Sequence, residues 1–185
     1  MHVFRISSKK YIRDLSGKGA ELNGGRWNSV GVPVLYTGSN PSVCVLEYLA
    51  HLKNAEPKKN HYGKAVIEVP DGSVKEVNIV DLPDDWQLDS ASATLSKITN
   101  DWIAENLYLC LKVPSVASPG DWNYLINPKH KLFKKVKRIG RPIDYSFDER
   151  IHRKFEKKTL EELLNEAQAE LARLRKSPTK EHKTP

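Results

Sequence analysis

Short runs of apolar residues, separated by glycine, proline and charged residues, predict a series of β-strands along the chain. These runs are rich in β-branched and aromatic residues, as expected of strands. They are HVFRIS (2–7), VPVLYT (32–37), the two halves of KAVIEVPDGSVKEVNI (64–79) joined by a turn at PDGS, LYLCLKVPS (107–115) and KKVKRIGRPIDYSF (134–147). By contrast, SPGDWNYLINPKH (118–130) is predicted to be a polar loop that re-enters the core through Tyr124, Leu125 and Ile126.

Two further segments carry the signals of helices. In residues 39–53, Asn40 is a suitable N-cap and Pro41 suits the first helical position. The second predicted helix covers residues 90–106. Residues 14–31 contain five glycines, which predicts a loop that turns sharply or approaches a ligand closely.

The character of the sequence changes near Glu149, so a separate extension is predicted at residues 151–185. Thr159 and Glu162 match a capping box at the start of a helix. A narrow apolar seam follows, which suits packing on the domain or on a partner. Its members are Leu160, Leu164, Ala167, Leu171 and Leu174. The last ten residues, KSPTKEHKTP, are expected to be disordered.

One charged residue interrupts the first predicted helix. From Val43 to Ala50, every side chain except Glu47 is apolar or aromatic. A helix that is apolar on all sides is usually buried, and a buried carboxylate is costly unless it is paired, hydrogen-bonded or used in chemistry. Glu47 is therefore either functional or paired with another residue. The candidate partners are Arg5, Arg13 and Arg26.

The formal net charge of +7 is concentrated in one part of the chain. Residues 131–158 contain eleven lysines and arginines against four acidic residues, so the rest of the chain is neutral overall. Such a basic stretch can bind nucleic acid, another anion or an acidic partner. Because no aromatic ladder interleaves with these lysines, we do not expect direct DNA binding.

The composition argues against several other classes of protein. No apolar run approaches the roughly 20 residues that cross a bilayer, and the first residues lack the apolar region of a secretory signal. Cys44 and Cys110 lie in apolar runs, which favours buried free thiols and a cytoplasmic location. Because cysteine and histidine do not cluster at ligand spacing, no metal site is predicted.

Three side chains could together form a nucleotide site. Arg26 follows two glycines, and its planar guanidinium suits phosphate oxygens. Tyr36 could stack on a flat or cationic ring, and Glu47 could stabilise positive charge on a sugar. This set fits a nucleotide with a glycosidic bond to a cationic base, of which NAD is the common example. The alternatives are a surface or salt-bridging arginine and a tyrosine packed in the core.

Two segments resemble the signatures of the RES domain family. They are GGRWNSVGVPVLYTGSNPSVCVLEYLAHL (24–52) and LKVPSVASPGDWNYLINPKH (111–130), and the resemblance covers about residues 2–150. It implies that residues 1–150 form an α+β domain similar to the ADP-ribosyltransferase fold. In that fold, small, mainly antiparallel sheets and flanking helices surround an NAD cleft.

The resemblance also implies roles for individual residues. Arg26 would contact the NAD phosphates, Tyr36 would flank the nicotinamide, and Glu47 would be the catalytic carboxylate. Ser115, in VPS, and Asn127, in INPKH, would contribute to NAD binding.

The implied function is that of a toxin in a toxin–antitoxin system. Members of the family degrade NAD by cleaving the nicotinamide–ribose bond, either by hydrolysis or by phosphorolysis with inorganic phosphate. NAD would be a substrate rather than a resident cofactor. The implied partner is an Xre-type antitoxin, and the toxin could form a homodimer within the complex. The alternatives are a protein ADP-ribosyltransferase and a non-enzymatic module that binds a partner or nucleic acid through residues 131–158.

Overall fold

The computed structural model describes residues 1–52, 61–151, 164, 165 and 167–169. The chain divides into two units, Met1–Phe147 and Asp148–Pro185. In the second unit, Arg150 pairs with Asp148, and residues 164, 165 and 167–169 are helical and exposed. The rest of the predicted seam helix and the predicted disordered tail lie outside the described residues.

In its described residues, the first unit contains seven strands and three α-helices. The strands are β1 (His2–Ser8), β2 (Leu35–Gly38), β3 (Tyr62–Glu68), β4 (Val74–Glu76), β5 (Cys110–Pro114), β6 (Trp122–Ile126) and β7 (Lys137–Tyr145). The helices are α1 (Lys18–Asn23), α2 (Pro41–His51) and α3 (Ser92–Glu105). Short 3-10 turns lie at Ile79–Asp81, Asp89–Ala91 and Lys131–Lys135. The predicted α+β class is confirmed.

All seven strands belong to one sheet, in the order β4-β5-β6-β2-β1-β3-β7. Neighbouring strands are antiparallel except β4 and β5, which are parallel. The sheet has two halves, β4-β5-β6-β2 and β1-β3-β7, which are joined through one residue pair, Phe4 with Gly38. The expected small, mainly antiparallel sheets are therefore found as the two halves of a single sheet.

Apolar side chains from the sheet form two core clusters. Because successive residues of a strand face opposite sides, Leu125 of β6 joins one cluster and Ile126 joins the other. The first cluster is closed by α3, which contributes the fully buried Leu95 and Trp102. Cys110 lies in the second cluster, and both cysteines are buried and free, as predicted.

Helix α2 packs against β1 and β2, next to the junction of the two half-sheets. Its start is as predicted, because Pro41 lies in the first turn and the Asn40 side chain accepts a hydrogen bond from the Val43 amide at 3.0 Å. The expectation of a helix buried on all sides is wrong. Val43 and Cys44 are buried, but Leu46 is 41% exposed because α2 contacts the sheet along one stripe and otherwise lies at the surface.

Three other segments differ from the sequence prediction. Residues 14–31 contain α1 within the predicted glycine loop. Residues 118–130 contain β6, a central strand and not a loop, because its apolar residues serve both core clusters. The PDGS turn does not join a hairpin, since β3 pairs with β1 and β7 whereas β4 pairs with β5.

Candidate active site

A cavity of about 400 Å³ lies at the junction of the two half-sheets. Its volume falls within the range of roughly 300–1,000 Å³ that is usual for small-molecule sites. Polar, charged and aromatic side chains supply its chemical character: Arg5, Ser7, Arg26, Trp27, Tyr36, Thr37, Cys44, Glu47, Tyr48, His51 and Asn123. Two guanidinium groups against one carboxylate favour a ligand with negative charge.

The Glu47 carboxylate is held by two neutral donors. The Ser115 hydroxyl donates to Glu47 Oε1 at 2.7 Å, and the Asn123 amide donates to the same oxygen at 2.6 Å. No described residue donates to Oε2, and Glu47 forms no salt bridge with Arg5, Arg13 or Arg26 within the described chain. The carboxylate is therefore fixed through one oxygen, and the other is available to a ligand.

Close packing of α2 on the sheet brings Glu47 to these donors. Asn123 of β6 lies opposite Gly38 of β2 in the antiparallel register. A Cβ atom at Gly38 would lie 2.8 Å from the Cys44 Sγ, so a larger residue there would push α2 away from the sheet. Glycine at position 38 thus permits the approach that places Glu47 over β6.

Tyr36 joins the cavity wall to the glycine loop. Its hydroxyl donates to Asn28 Oδ1 at 2.7 Å and accepts from the Trp27 amide at 3.3 Å. The Asn28 amide in turn donates to three backbone carbonyls of the loop, those of Ala20, Ser29 and Val32. Burial, together with the Glu47 charge, raises the pKa of Tyr36, so the phenol remains a neutral donor.

Gly24 and Gly25 meet separate requirements of this loop. Gly24 has φ +69°, in the left-handed region that favours glycine. At Gly25, a Cβ atom would lie 2.8 Å from the Tyr36 hydroxyl and 2.9 Å from Asn28 Oδ1. The pair therefore allows the loop to close on Tyr36 while directing the next residue, Arg26, to the cavity.

Arg26 is fixed by residues 86–89. Its Nη1 donates to the carbonyls of Trp86, Gln87 and Leu88 at 3.4, 3.3 and 2.9 Å. Its Nη2 pairs with the Asp89 carboxylate at 2.9 Å. The guanidinium is thus oriented by the protein before any ligand binds.

Arg5 supplies a second positive charge to the cavity. Its Nη1 donates to the backbone carbonyls of Tyr11 and Asp14. Burial lowers the pKa of Arg5, and the Asp14 charge opposes this shift. Its described hydrogen bonds use only Nη1, so the other nitrogens of Arg5 can donate to a bound anion.

Comparison with known proteins assigns the fold to a family. Residues 2–148 match the RES domain. The chain belongs to the RES domain family. A relative named Toxin Res, from Yersinia enterocolitica, is 33% identical over 152 residues, which are 82% of this chain and 99% of the relative. A Prs ADP-ribosylating toxin from a Sphingobium species is 36% identical over 127 residues, 67% of this chain and 78% of the relative.

A solved structure shares the same fold. It is the crystal structure of the Mycobacterium tuberculosis MbcT–MbcA toxin–antitoxin complex, matched with a TM-score of 0.62 and 17% identity. The match covers 78% of this chain and 84% of that chain. At this level of identity the likeness concerns the RES fold and not the chemistry.

The RES fold brings together four of the five residues predicted as site residues. Arg26, Tyr36 and Glu47 all line the cavity. Ser115 is 2% exposed and lies behind Glu47, where it contacts the carboxylate and accepts from the Ser118 amide. Asn127 does not line the cavity. The roles of all five in NAD binding or catalysis stay predictions.

Asn127 stabilises a loop beyond β6. Its amide donates to Asn106 Oδ1 at 3.3 Å, and its Oδ1 accepts from the Lys129 amide at 2.9 Å. These contacts are typical of an asparagine that caps a loop, and none of them is with the Glu47 carboxylate. The asparagine that contacts Glu47 is Asn123.

Sequence reasoning therefore missed Asn123 and Arg5 as site residues of the RES domain. The available signal for Asn123 was a polar residue within the otherwise apolar run WNYLI. For Arg5 it was a charged residue inside the strand HVFRIS. Either signal can be used only once the segment is known to be a strand and its polar residue is known to face the cavity.

In the described parts of the chain, no group of three or more histidine, cysteine, aspartate and glutamate side chains is placed to hold a metal ion. Nor does any helix of these residues have the length and hydrophobicity needed to span a membrane.

Proposed function

We propose that this chain is a toxin of a toxin–antitoxin system that cleaves the nicotinamide–ribose bond of NAD. The observation that carries the proposal is the Glu47 carboxylate, fixed through Oε1 and available through Oε2, in a cavity that also contains two arginines and Tyr36. Membership of the RES domain family and the relatives named Toxin Res support the same function.

The charges of the cavity suit the diphosphate of NAD. Arg26 and Arg5 both line the cavity, and each leaves part of its guanidinium without a described partner. Guanidinium groups bind phosphate oxygens through short, charge-assisted hydrogen bonds. Tyr36 presents an aromatic ring in the same cavity, which suits a flat, cationic nicotinamide.

Glu47 would act on the ribose next to the nicotinamide. When the bond between C1′ and the nicotinamide nitrogen breaks, its electron pair leaves with neutral nicotinamide and the ribose becomes positively charged. A carboxylate in a partly buried site stabilises such charge more strongly than one in water. Ser115 and Asn123 hold the carboxylate in place, so the stabilisation does not require it to reorganise.

The reaction is completed by an acceptor that forms a new bond to C1′. Water would give ADP-ribose and release a proton, whereas inorganic phosphate would give ADP-ribose 1-phosphate. Both acceptors leave Glu47 chemically unchanged. NAD is a substrate in either case, and phosphate is a co-substrate in the second.

A protein acceptor is the second candidate, and one comparison favours it. The Sphingobium relative, 36% identical over 127 residues, is named as an ADP-ribosylating toxin. In that case the same bond of NAD breaks, and a nucleophilic side chain of another protein takes the place of water. The cavity residues would have the same roles, and the difference would lie in what approaches C1′.

An inhibitory partner is part of the proposal, because an unrestrained NAD-degrading enzyme would harm the cell that makes it. The solved structure with the same fold was determined as a toxin–antitoxin complex. We infer a cytoplasmic complex with an Xre-type antitoxin, in which the toxin could also pair with a second copy. A non-enzymatic role of residues 131–158 would instead give salt-dependent binding without NAD loss.

The test is to incubate the purified chain with NAD and to separate the products by chromatography, with and without inorganic phosphate. Hydrolysis predicts ADP-ribose in both conditions, and phosphorolysis predicts ADP-ribose 1-phosphate only with phosphate. A third set of reactions contains cell protein and radiolabelled NAD. Label transferred to protein, together with slow NAD loss when cell protein is left out, would support the second candidate. Intact NAD in every reaction would refute both candidates.

A further inference from the structure

Arg26 is held by two kinds of contact that differ in how firmly they are anchored. Its Nη1 donates to the backbone carbonyls of residues 86–88. The first of these carbonyls belongs to Trp86, which is 8% exposed and is part of the first core cluster. Because the segment is attached to the core, the carbonyls hold Nη1 in a constant position.

The contact at Nη2 is with a side chain that is free of other packing. Asp89 pairs with Nη2 at 2.9 Å, yet its side chain is 101% exposed. The backbone at Asp89 is itself fixed, because its carbonyl accepts from the Ser92 hydroxyl at 2.7 Å. The carboxylate can therefore leave Arg26 by rotating its side chain, without movement of the backbone.

The two contacts also differ in charge. The carbonyls are neutral dipoles, so they orient the guanidinium and leave its positive charge uncompensated. Asp89 supplies the compensating negative charge at Nη2, the nitrogen that makes none of the carbonyl contacts. An anionic ligand that binds Arg26 at this position of Nη2 competes with the carboxylate for the same N–H group.

We propose that Asp89 is an internal anion that competes with a ligand phosphate for Arg26, and that the phosphate displaces it when it binds. The identity of the phosphate as part of NAD rests on the proposed function. Asp89 thereby lowers the affinity of the cavity for diphosphates, including products that retain the diphosphate. Exposed ion pairs are weak, so we expect the competition to cost about two- to fivefold in affinity.

The chain provides a matched control for this effect. Asp84 lies in the same segment, is also exposed, and makes no described contact with Arg26. Asp84→Asn and Asp89→Asn therefore remove the same charge from the same segment, and only the second removes the ion pair. Their difference isolates the competition from the general change in electrostatic potential.

The experiment measures the binding of inorganic pyrophosphate by calorimetry and the steady-state kinetics of NAD cleavage, for the wild type and both variants. We expect Asp89→Asn to bind pyrophosphate about two- to fivefold more tightly than Asp84→Asn. KM for NAD should fall by the same factor, with the effect on KM and not on kcat. Melting temperatures of all three proteins establish that they are folded.

The outcomes separate this inference from the proposed function. Equal pyrophosphate affinities for the two variants, weaker binding by Asp89→Asn, or no binding by any protein would each overturn the role of Asp89. If pyrophosphate binding shows the expected difference but no protein consumes NAD, the exchange of anions stands and the proposed function fails.

Discussion

The Ser115 hydroxyl lies 2.7 Å from Glu47 Oε1, although 68 positions separate the two residues in the chain. The contact joins the end of β5 to the middle of α2. Asn123 of β6 donates to the same oxygen at 2.6 Å. Three elements of the RES domain thus converge on one carboxylate oxygen, and this convergence orients the carboxylate toward the cavity.

Removing either donor should therefore reduce catalysis while the site remains assembled. We expect Ser115→Ala and Asn123→Ala each to lower kcat for NAD about tenfold, because one donor alone leaves the carboxylate free to rotate. In the double variant, the loss should differ from the product of the single losses, because both donors act on one group. Asn127→Ala, whose side chain contacts the loop beyond β6, is the control and should leave kcat within about twofold. Equal losses in all three single variants would contradict the assignment of Asn123.

The glycine loop offers a second test, in which two glycines that line the same cavity are compared. Gly25→Ala would place a Cβ atom 2.8 Å from the Tyr36 hydroxyl, whereas a Cβ atom at Gly19 meets nothing within 4 Å. We expect Gly25→Ala to lower the free energy of unfolding by about 1–3 kcal/mol through this clash. Gly19→Ala should be neutral or slightly stabilising, because Gly19 lies within α1. Chemical denaturation of both variants measures the difference, and equal stabilities would refute it.

The Tyr36 hydroxyl should stabilise the glycine loop, because its hydrogen bonds are with Asn28 and Trp27 of that loop. Tyr36→Phe keeps the aromatic ring but removes the donor to Asn28 Oδ1 and the acceptor for the Trp27 amide. The expected loss is about 1–3 kcal/mol in the free energy of unfolding, since a buried acceptor loses its partner. Tyr124→Phe, on β6, is the control for removing a hydroxyl. A Tyr36→Phe protein as stable as the Tyr124→Phe protein would show that the hydroxyl does not hold the loop.

Stability should fall in alkaline solution. Burial raises the pKa of Cys44 and of Cys110 from 9.0 to about 12, and burial together with Tyr62 raises that of Tyr48 from 10.0 to about 12. Above pH 9 the unfolded chain releases protons that the folded chain retains, so the free energy of unfolding decreases with rising pH. The contribution of these three groups to the free energy of unfolding is thus fully present below about pH 9. It is lost progressively as the pH rises to about 12.

Thermal denaturation between pH 7 and pH 11, with a reductant, measures this dependence. The Cys44→Ala/Cys110→Ala double variant should show a shallower decline above pH 9 than the wild type, because two of the groups with raised pKa are absent. A melting temperature that is constant from pH 9 to pH 11 in the wild type would contradict the prediction.

The sequence predicts well the features that local chemistry determines. The start of α2 follows from Asn40 and Pro41, and α3 and the late strand β7 follow from their composition. Arg26, Tyr36 and Glu47 could be selected because each is a chemically distinctive residue in a motif. All three line the cavity.

Features that depend on distant pairing could not be predicted. Trp122–Ile126 reads as a loop because polar residues flank it, but its burial comes from pairing with β2 and β5. The partner of β4 lies more than thirty positions later in β5, so the PDGS turn gives no indication of it. Asn123 cannot be identified from the sequence for the same reason, since its contact with Glu47 exists only once β6 lies under α2.

The most direct test of the central claim is the rate of NAD loss for the wild type, Glu47→Gln and Glu68→Gln. Glu68, exposed on β3, controls for removing a carboxylate elsewhere. Glutamine at position 47 keeps an oxygen that can accept from Ser115 and Asn123, so the fold should persist, as shown by an unchanged melting temperature. We predict that Glu47→Gln loses at least about a hundredfold in rate, and that Glu68→Gln cleaves NAD as the wild type does. A folded Glu47→Gln protein that consumes NAD at the normal rate would contradict the mechanism.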